Sequence, residues 1–148
     1  MPKTTVPERW GLAVYTLIRD RRGRMLLLRR GQNVKHFPGC WELPGGKPAP
    51  GEGIAKTAEL EVSEETGLDV TPCGVAGAAD GSIPGLRVAM LILEGRATES
   101  QVTLSSEHDT HAWLPASQIL SLKLRPGFDT FFARYLGRQA RRPVKRRG

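Results

Sequence analysis

Four glutamates fall within seven positions of residues 59–68, which read ELEVSEETGL. In a helix, Glu61, Glu64 and Glu65 are spaced i, i+3 and i+4, so their carboxylates share one face and are close enough to touch. Like charges at this spacing destabilise a helix by roughly 0.2–0.5 kcal/mol per pair. The segment therefore predicts a helix whose acidic face either is solvated or holds something positive.

The chain around this segment supports a helix from about residue 53 to residue 66. Ile54, Ala58 and Val62 recur every four residues and indicate a buried stripe. Gly67 occupies the position of a left-handed C-terminal cap. Residues 31–53 are rich in glycine and proline, which predicts a long ordered loop of the kind that is often functional.

The remaining apolar runs predict strands and a second helix. Strands are predicted over 10–20 and 24–30, over 68–80 and 86–98 around the turn DGSIPG, and over 110–115. Leu26, Leu27 and Leu28 are apolar without alternation, which indicates a strand covered on both faces. A helix over 127–137 is indicated by an apolar stripe of Phe128, Phe131, Phe132, Tyr135 and Leu136. The pattern predicts an α/β (α+β) fold with a mixed sheet between helices.

Length and composition indicate one soluble domain. The chain has 148 residues, enough to bury a core, and it contains no apolar run near the ~18 residues of a membrane-spanning helix. Its first residues, MPKTTVPERW, lack the apolar core of a secretory signal. Cys40 and Cys73 lack metal-binding spacing, and we interpret them as reduced thiols of a cytoplasmic protein, with a disulfide as the open alternative.

The net charge of +7 is concentrated at one terminus. The last eleven residues, RQARRPVKRRG, contain six basic residues and no acidic one, which leaves a charge of 7 − 6 = +1 for residues 1–137. We therefore divide the chain into a single domain over 1–137 and a basic tail over 138–148. Such a tail could contact nucleic acid or be a solvated terminus, and the second interpretation is favoured because the tail has no aromatic residue to stack on bases.

A longer motif includes the acidic helix. Residues 46–68 read GKPAPGEGIAKTAELEVSEETGL, which resembles the Nudix box, Gly-x5-Glu-x7-Arg-Glu-U-x-Glu-Glu-x-Gly-U, where U is a bulky aliphatic residue. The preceding WELPGGK looks like the lead-in of MutT-like Nudix hydrolases, and weaker likeness extends to the strand that ends at Arg29 and Arg30 and to residues 105–115. The resemblance implies an α/β/α sandwich. The chain departs from the motif at Leu60, where the family has an arginine that supports the site.

The chemistry of the acidic face points to hard cations. Hydrolysis of a diphosphate requires neutralised phosphate oxygens, a positioned water and a stabilised leaving group. Divalent cations such as Mg²⁺ meet these needs and prefer carboxylate and carbonyl oxygens. The family resemblance implies that Glu61, Glu64 and Glu65 bind the cations, that the backbone carbonyl of Gly46 can be a ligand, and that Glu52 supports the site.

The general base and the substrate contacts follow less directly. The resemblance implies that the base is either a box glutamate or a glutamate of a later loop, for which Glu107 is the candidate and His108 a weaker one. Arg29 and Arg30 end a strand beside the site and could bind substrate or be solvated. Phe37, Trp41 and Trp113 could stack on a base, although each fits a core position better.

These observations predict a Mg²⁺-dependent (Mn²⁺ is possible) pyrophosphohydrolase that cleaves a nucleoside diphosphate linked to another group X by attack of water on phosphorus. Nucleoside triphosphates or their modified forms are the favoured substrates, because the chain is short and MutT-like. ADP-ribose or another nucleoside-diphosphate sugar is the alternative substrate, and a non-catalytic nucleotide sensor is the alternative function. The expected partner is a small nucleotide, with no membrane and with either a monomer or a homodimer.

Overall fold

The computed structural model describes residues 8–141. Its elements in chain order are β1 (Trp10–Arg19), β2 (Met25–Arg30), β3 (Trp41–Glu42), β4 (Gly45–Gly46), α1 (Ile54–Thr66), β5 (Pro72–Ile83), β6 (Leu86–Arg96), β7 (His108–Leu114), α2 (Ala116–Ile119) and α3 (Phe128–Arg141). Among these residues, no helix combines the length and the apolar character needed to cross a bilayer. Cys40 and Cys73 are both free thiols, as predicted.

The strands form one mixed sheet. Its main order is β3-β2-β1-β6-β5, with β4 also paired to β1 and β7 also paired to β2. β1 and β6 are parallel and in register over the whole of β1, whereas the other pairs are antiparallel. The predicted mixed sheet is therefore confirmed.

Alternate side chains of β1 point to opposite faces of the sheet, and each face is covered by a helix. Tyr15 and Leu17 lie in the core cluster that contains the aromatic side chains of α3, while Val14 packs with Ala58 of α1. The side chains of residues 26–28 are fully buried, which confirms that β2 is covered on both faces. The result is a sandwich of α1, sheet and α3.

Helix α1 ends as predicted but buries less of its first turn. Gly67 has φ 72° and donates its N–H to the carbonyl of Ser63 at 2.9 Å, which makes it the left-handed cap. Ala58 and Val62 are buried, whereas Ile54 is 43% exposed. The prediction of a buried Ile54 is wrong because Ile54 is the first residue of the helix, and the helix reaches the sheet only from its second turn.

The hairpin β5–β6 is longer than its composition indicates. The ladder continues through the pairs Asp80–Ala89 and Ile83–Leu86, so the turn consists of Pro84 and Gly85 alone, not of residues 80–85. Gly85 has φ 79°, a value that glycine adopts without steric cost. At its other end β5 begins at Pro72, not at residue 68, because residues 68–71 connect it to α1.

Helix α3 has the predicted aromatic stripe and extends further than expected. Its four aromatic side chains are buried between the helix and the sheet. The helix runs through the predicted domain boundary at residue 137 as far as Arg141. The remainder of the predicted basic tail, residues 142–148, lies outside the described residues.

Candidate active site

Two carboxylates of α1 lie against the Gly45–Gly46 pair of β4. The N–H of Gly45 donates to Oε2 of Glu65 at 3.2 Å. A Cβ atom placed on Gly46 would lie 2.7 Å from Cδ of Glu61, so only glycine leaves room for that carboxylate. Glu64, on the same helix, is exposed to solvent. We name the carboxylates of Glu61 and Glu65, together with the Gly45–Gly46 pair that they contact, the acidic wall. It lies beside the middle of β1, with which Gly45 and Gly46 are paired.

Carboxyl groups are crowded at this wall, and their ionisation is disfavoured. Burial, followed by the charges of Glu42 and Glu107, raises the pKa of Glu65 to about 10. Burial also raises the pKa of Glu61, and the charges of Glu64 and Glu107 add to the effect. These carboxyl groups resist ionisation in the absence of a compensating cation.

Glu107 faces the acidic wall from the loop before β7. Its side chain is 48% exposed, and its Oε1 lies 3.5 Å from Nη1 of Arg30. The carbonyl of Glu107 accepts the N–H of Gly31 at 3.0 Å, which fixes the loop to the end of β2. The contact with Arg30, which is also bonded to Glu42, places Glu107 beside Glu42, and its charge contributes to the raised pKa of both Glu61 and Glu65.

A buried ionic network lies beside the wall and is centred on Glu42. Oε1 of Glu42 accepts a hydrogen bond from Nη1 of Arg30 at 2.8 Å and lies 2.9 Å from Nε2 of His108. Oε2 accepts a hydrogen bond from Nη1 of Arg125 at 2.9 Å. Burial alone would raise the pKa of Glu42, but the hydrogen bond with His108 and the two guanidinium charges outweigh it and hold the pKa below its ordinary value.

The network also orients a surface that can contact a flat ligand. The Arg125 guanidinium carbon lies 4.9 Å from the ring centroid of Phe37, and Nη1 of Arg125 donates to the Tyr15 hydroxyl at 3.3 Å. Phe37 has φ 52°, which is uncommon for a non-glycine residue. Phe37 and Arg125 thus form a half-buried aromatic and cationic surface near Glu42, and the buried Tyr15 lies beneath it, in contact with Arg125 through its hydroxyl.

The comparisons with known proteins agree with this geometry. A family model described as NUDIX domain matches residues 9–135. The chain belongs to the Nudix family. It is 30% identical over 108 residues to the nucleoside triphosphatase NudI of Salmonella agona (strain SL483), which covers 66% of this chain and 77% of the relative. It is 31% identical over 72 residues to the m7GpppN-mRNA hydrolase NUDT17 of Danio rerio, which covers 49% of this chain and 24% of the relative.

Solved structures show the same fold. The MutT protein from Methanosarcina mazei Go1 superposes with a TM-score of 0.85 at 33% identity and covers 93% of this chain and 100% of its own. The ORF135 protein of E. coli has a TM-score of 0.78 at 21% identity, over 93% of this chain and 96% of its own, which supports the fold alone. The protein is therefore a MutT-like Nudix hydrolase, an enzyme that acts on phosphoric anhydrides.

Within the Nudix box, Glu52 and Leu60 lie outside the acidic wall. Oε1 of Glu52 accepts hydrogen bonds from Oγ1 of Thr57 at 2.7 Å and from the N–H of Ala49 at 3.3 Å, so Glu52 ties the loop to the start of α1. Leu60, which stands where the box has an arginine, is 37% exposed. Its side chain is therefore not part of the buried core.

The oxygen donors of the box suit a hard divalent cation. Within residues 8–141, no three His, Cys, Asp or Glu side chains are already grouped as a metal site. Glu61 and Glu65 both lie against β4, whereas Glu64 is exposed to solvent. The crowded carboxylates, the raised pKa values and the close approach of Gly46 fit a cation bound by oxygen.

The residues predicted to contact substrate differ in how exposed they are and in what they contact. Arg29 is half-exposed and pairs with Oδ1 of Asp109 at 2.9 Å, so it lies at the site's edge. Arg30 is buried, and its guanidinium donates hydrogen bonds to Glu42 and to the carbonyl of His36. Trp113 packs against the core cluster on the α1 side of the sheet, as its core interpretation predicts.

Sequence reasoning missed Glu42, Arg125 and Tyr15. Glu42 was visible in WELPGGK as a charged residue next to apolar ones, a pattern that indicates a buried and paired carboxylate. Arg125 had no signal, because its partners lie 83 and 110 positions earlier in the chain. His108 is buried against Glu42, a position that does not favour its role as general base.

Proposed function

We propose that this Nudix hydrolase is a Mg²⁺-dependent pyrophosphohydrolase, with Mn²⁺ as a possible substitute, that cleaves nucleoside triphosphates or their modified forms. The proposal is supported by the close packing of the Glu61 and Glu65 carboxylates against the Gly45–Gly46 pair. Such crowding of carboxylates is unfavourable without a cation, and the triphosphatase NudI is similar in sequence. The proposal includes a cytoplasmic location and a monomer or homodimer.

The cation would be held by Glu61, Glu64, Glu65 and the carbonyl oxygen of Gly46. When bound, it supplies positive charge to the anionic phosphate oxygens, which lowers the barrier to attack at phosphorus. For this, the exposed side chain of Glu64 must turn towards Glu61 and Glu65. Glu52 holds the loop and the first turn of α1 in place, so that the ligands are presented from a rigid segment.

Glu107 is our proposed general base. Its carboxylate is accessible, faces the acidic wall and lies beside the Arg30 guanidinium. It would accept a proton from the attacking water at a carboxylate oxygen as the new oxygen–phosphorus bond forms. The anhydride bond to the neighbouring phosphate breaks in the same reaction, and that phosphate departs as an anion. A box glutamate in the same role is the alternative.

The nucleoside would bind against Phe37, with Arg125 held in place by Glu42. Arg29 and the polar atoms of Tyr15 lie on the same side of the molecule. Burial raises the pKa of Tyr15 to about 12, so its hydroxyl remains neutral at physiological pH. A planar base can stack on an aromatic or guanidinium surface, and this stacking gives affinity without strict selection of the base.

A substrate panel tests the proposal. Nucleoside triphosphates, oxidised and methylated nucleotides, ADP-ribose and nucleoside-diphosphate sugars are incubated with Mg²⁺, with Mn²⁺ and with EDTA, and phosphate, pyrophosphate and nucleotide products are measured. Hydrolysis of triphosphates only with a divalent cation is expected. Full activity in EDTA would refute the metal mechanism, faster cleavage of ADP-ribose would establish the alternative substrate, and binding without cleavage would establish a sensor.

Leu60→Arg tests the missing family arginine. Because Leu60 is 37% exposed, we expect the variant to fold, with a change in stability of less than ~0.5 kcal/mol, typical of surface substitutions. If the introduced guanidinium supports a box glutamate, the variant should reach half-maximal activity at a lower Mg²⁺ concentration than the wild type. Thermal melts and Mg²⁺ titrations measure the two effects, and Leu60→Gln serves as the uncharged control. An unaltered Mg²⁺ titration would mean that other residues already supply the support.

A further inference from the structure

The C-terminal ends of the parallel strands β1 and β6 carry a group of arginines. β1 ends at Arg19, and Arg96, the last residue of the parallel strand β6, is its register partner. β2 starts at this end of the sheet, since Arg19 pairs with Met25, and it reaches the candidate active site only at Arg30. The tight turn between β1 and β2 adds Arg21, Arg22 and Arg24.

Helix α3 brings further arginines to the same end. Nη2 of Arg19 donates to the Tyr135 hydroxyl at 2.8 Å, and Nη1 of Arg19 donates to the carbonyl of Gly23 at 3.0 Å. One shallow cavity is lined by residues of both strand ends and by residues of α3. Arg138 and Arg141 follow Tyr135 in the last turns of the helix. We name this surface the arginine end, and its members are Arg19, Arg21, Arg22, Arg24, Arg96, Arg138 and Arg141.

Most of these guanidinium groups have no carboxylate of the described residues within ion-pair distance. Among residues 8–141, Arg24 is the only one of the seven in an ion pair, with Asp20 at 2.8 Å. By contrast, Arg29, Arg30 and Arg125 at the candidate active site are all paired. Four carboxylates border the arginine end, those of Asp20, Asp69, Glu94 and Glu99. Seven arginines against four carboxylates leave a net charge of +3, and the sequence continues from Arg141 with RPVKRRG.

We propose that the arginine end binds the phosphate backbone of a nucleic-acid duplex, independently of nucleotide hydrolysis. Unpaired like charges at one end destabilise a compact protein, so stability does not explain them. Guanidinium groups bind phosphates through two parallel hydrogen bonds. The inference goes beyond the proposed function, since the surface lies at the end of β1, five residues beyond Val14, the partner of Gly46 in the acidic wall.

A duplex fits this surface better than a single strand. Proteins that bind single strands present aromatic side chains on which bases stack. The aromatic residue of the arginine end is Tyr135, which is buried and engaged by Arg19 and Glu94. Binding would therefore depend on charge alone, with little preference for base sequence and a steep dependence on salt. The basic tail was interpreted as solvated from sequence, but the structure adds five arginines that lie far from it in the chain.

The test measures binding of a labelled duplex DNA of about 20 base pairs by fluorescence anisotropy in EDTA, over a series of salt concentrations. The logarithm of the affinity should fall linearly with the logarithm of salt concentration. Arg21→Gln combined with Arg22→Gln should reduce that slope by about 1.8, because each lost phosphate contact removes about 0.9. Both residues are exposed in the turn, and the variant should hydrolyse nucleotides as the wild type does.

A matched control removes two charges elsewhere. Arg9 and Lys56 are exposed and lie outside the arginine end, so Arg9→Gln combined with Lys56→Gln should leave the slope unchanged. Equal loss of affinity in both double variants would overturn the proposal, because net charge alone would then explain binding. The proposal also fails if a single strand of equal length, or a vesicle of phosphatidylglycerol, binds as tightly as the duplex. Since hydrolysis is assayed separately, failure here leaves the proposed function untouched.

Discussion

Glu65→Gln is expected to lower kcat at least ~100-fold, the scale of losing one catalytic electrostatic contact. Glu65 is the most buried of the box glutamates, and it receives the N–H of Gly45. Glutamine keeps the shape and one oxygen atom but removes the charge that a divalent cation requires. KM for a nucleotide should change much less, because the charge acts on the reacting phosphates.

The same substitution should stabilise the metal-free protein at high pH. The pKa of Glu65 is raised to about 10 in the folded protein, whereas the unfolded chain has a value near the ordinary 4.5. The folded state therefore keeps a proton that the unfolded state releases, and the metal-free stability falls as the pH rises from about 4.5 towards about 10. Glutamine resembles the protonated form and cannot titrate, so the variant should lose this pH dependence.

Saturating Mg²⁺ should reverse the order of stability. The wild type gains free energy of unfolding by binding the cation in its native state, and the variant gains less because it binds more weakly. Thermal melts of both proteins at pH 5 and pH 8, each with EDTA and with Mg²⁺, measure the effect, and kinetics measure turnover. Glu59→Gln, on the same helix, is the control. If Glu65→Gln shifts the melting temperature equally with and without Mg²⁺, the metal site is refuted.

Glu42→Ala should lower the free energy of unfolding by ~3–5 kcal/mol, the cost of removing one partner of a buried ion pair. The substitution leaves Arg125 without its carboxylate and leaves Arg30 with only the more distant Glu107 at 3.5 Å, although the side chains of Arg30 and Arg125 are only 9% and 15% exposed. It also removes the hydrogen-bond partner of His108. A neutral cavity beside two buried guanidinium groups cannot compensate these charges.

Denaturant titrations at several pH values measure this loss. Because the pKa of Glu42 is lowered in the folded state, its stabilising contribution is present above the unfolded pKa of about 4.5 and is lost as the pH falls through the folded value. The difference between wild type and variant should therefore shrink in acid. Glu99→Ala, at an exposed position, should change stability by less than ~0.5 kcal/mol. A loss below ~1 kcal/mol for Glu42→Ala would show that the network does not hold the fold together.

The elements predicted well from sequence depend on neighbours within a few residues. The period of α1, the cap at Gly67 and the uninterrupted leucines of β2 are local patterns, and the structure has all three. The network around Glu42 joins residues that are 12, 66 and 83 positions apart, and no local pattern records such pairs. Ile54 shows the opposite error, because a correct period does not tell where a helix first meets the sheet.

The parallel pair of β1 and β6 has a consequence for how the chain folds. Each contact along this ladder joins residues 77 positions apart, from Trp10–Arg87 to Arg19–Arg96. A ribosome must therefore synthesise β6 before β1 can acquire this neighbour, although α1 and the glycine loop have emerged earlier. Contacts of such long sequence separation make folding slower than in a fold built from local contacts. Helix α1 is therefore synthesised before β6, the strand that completes the sheet on which α1 packs.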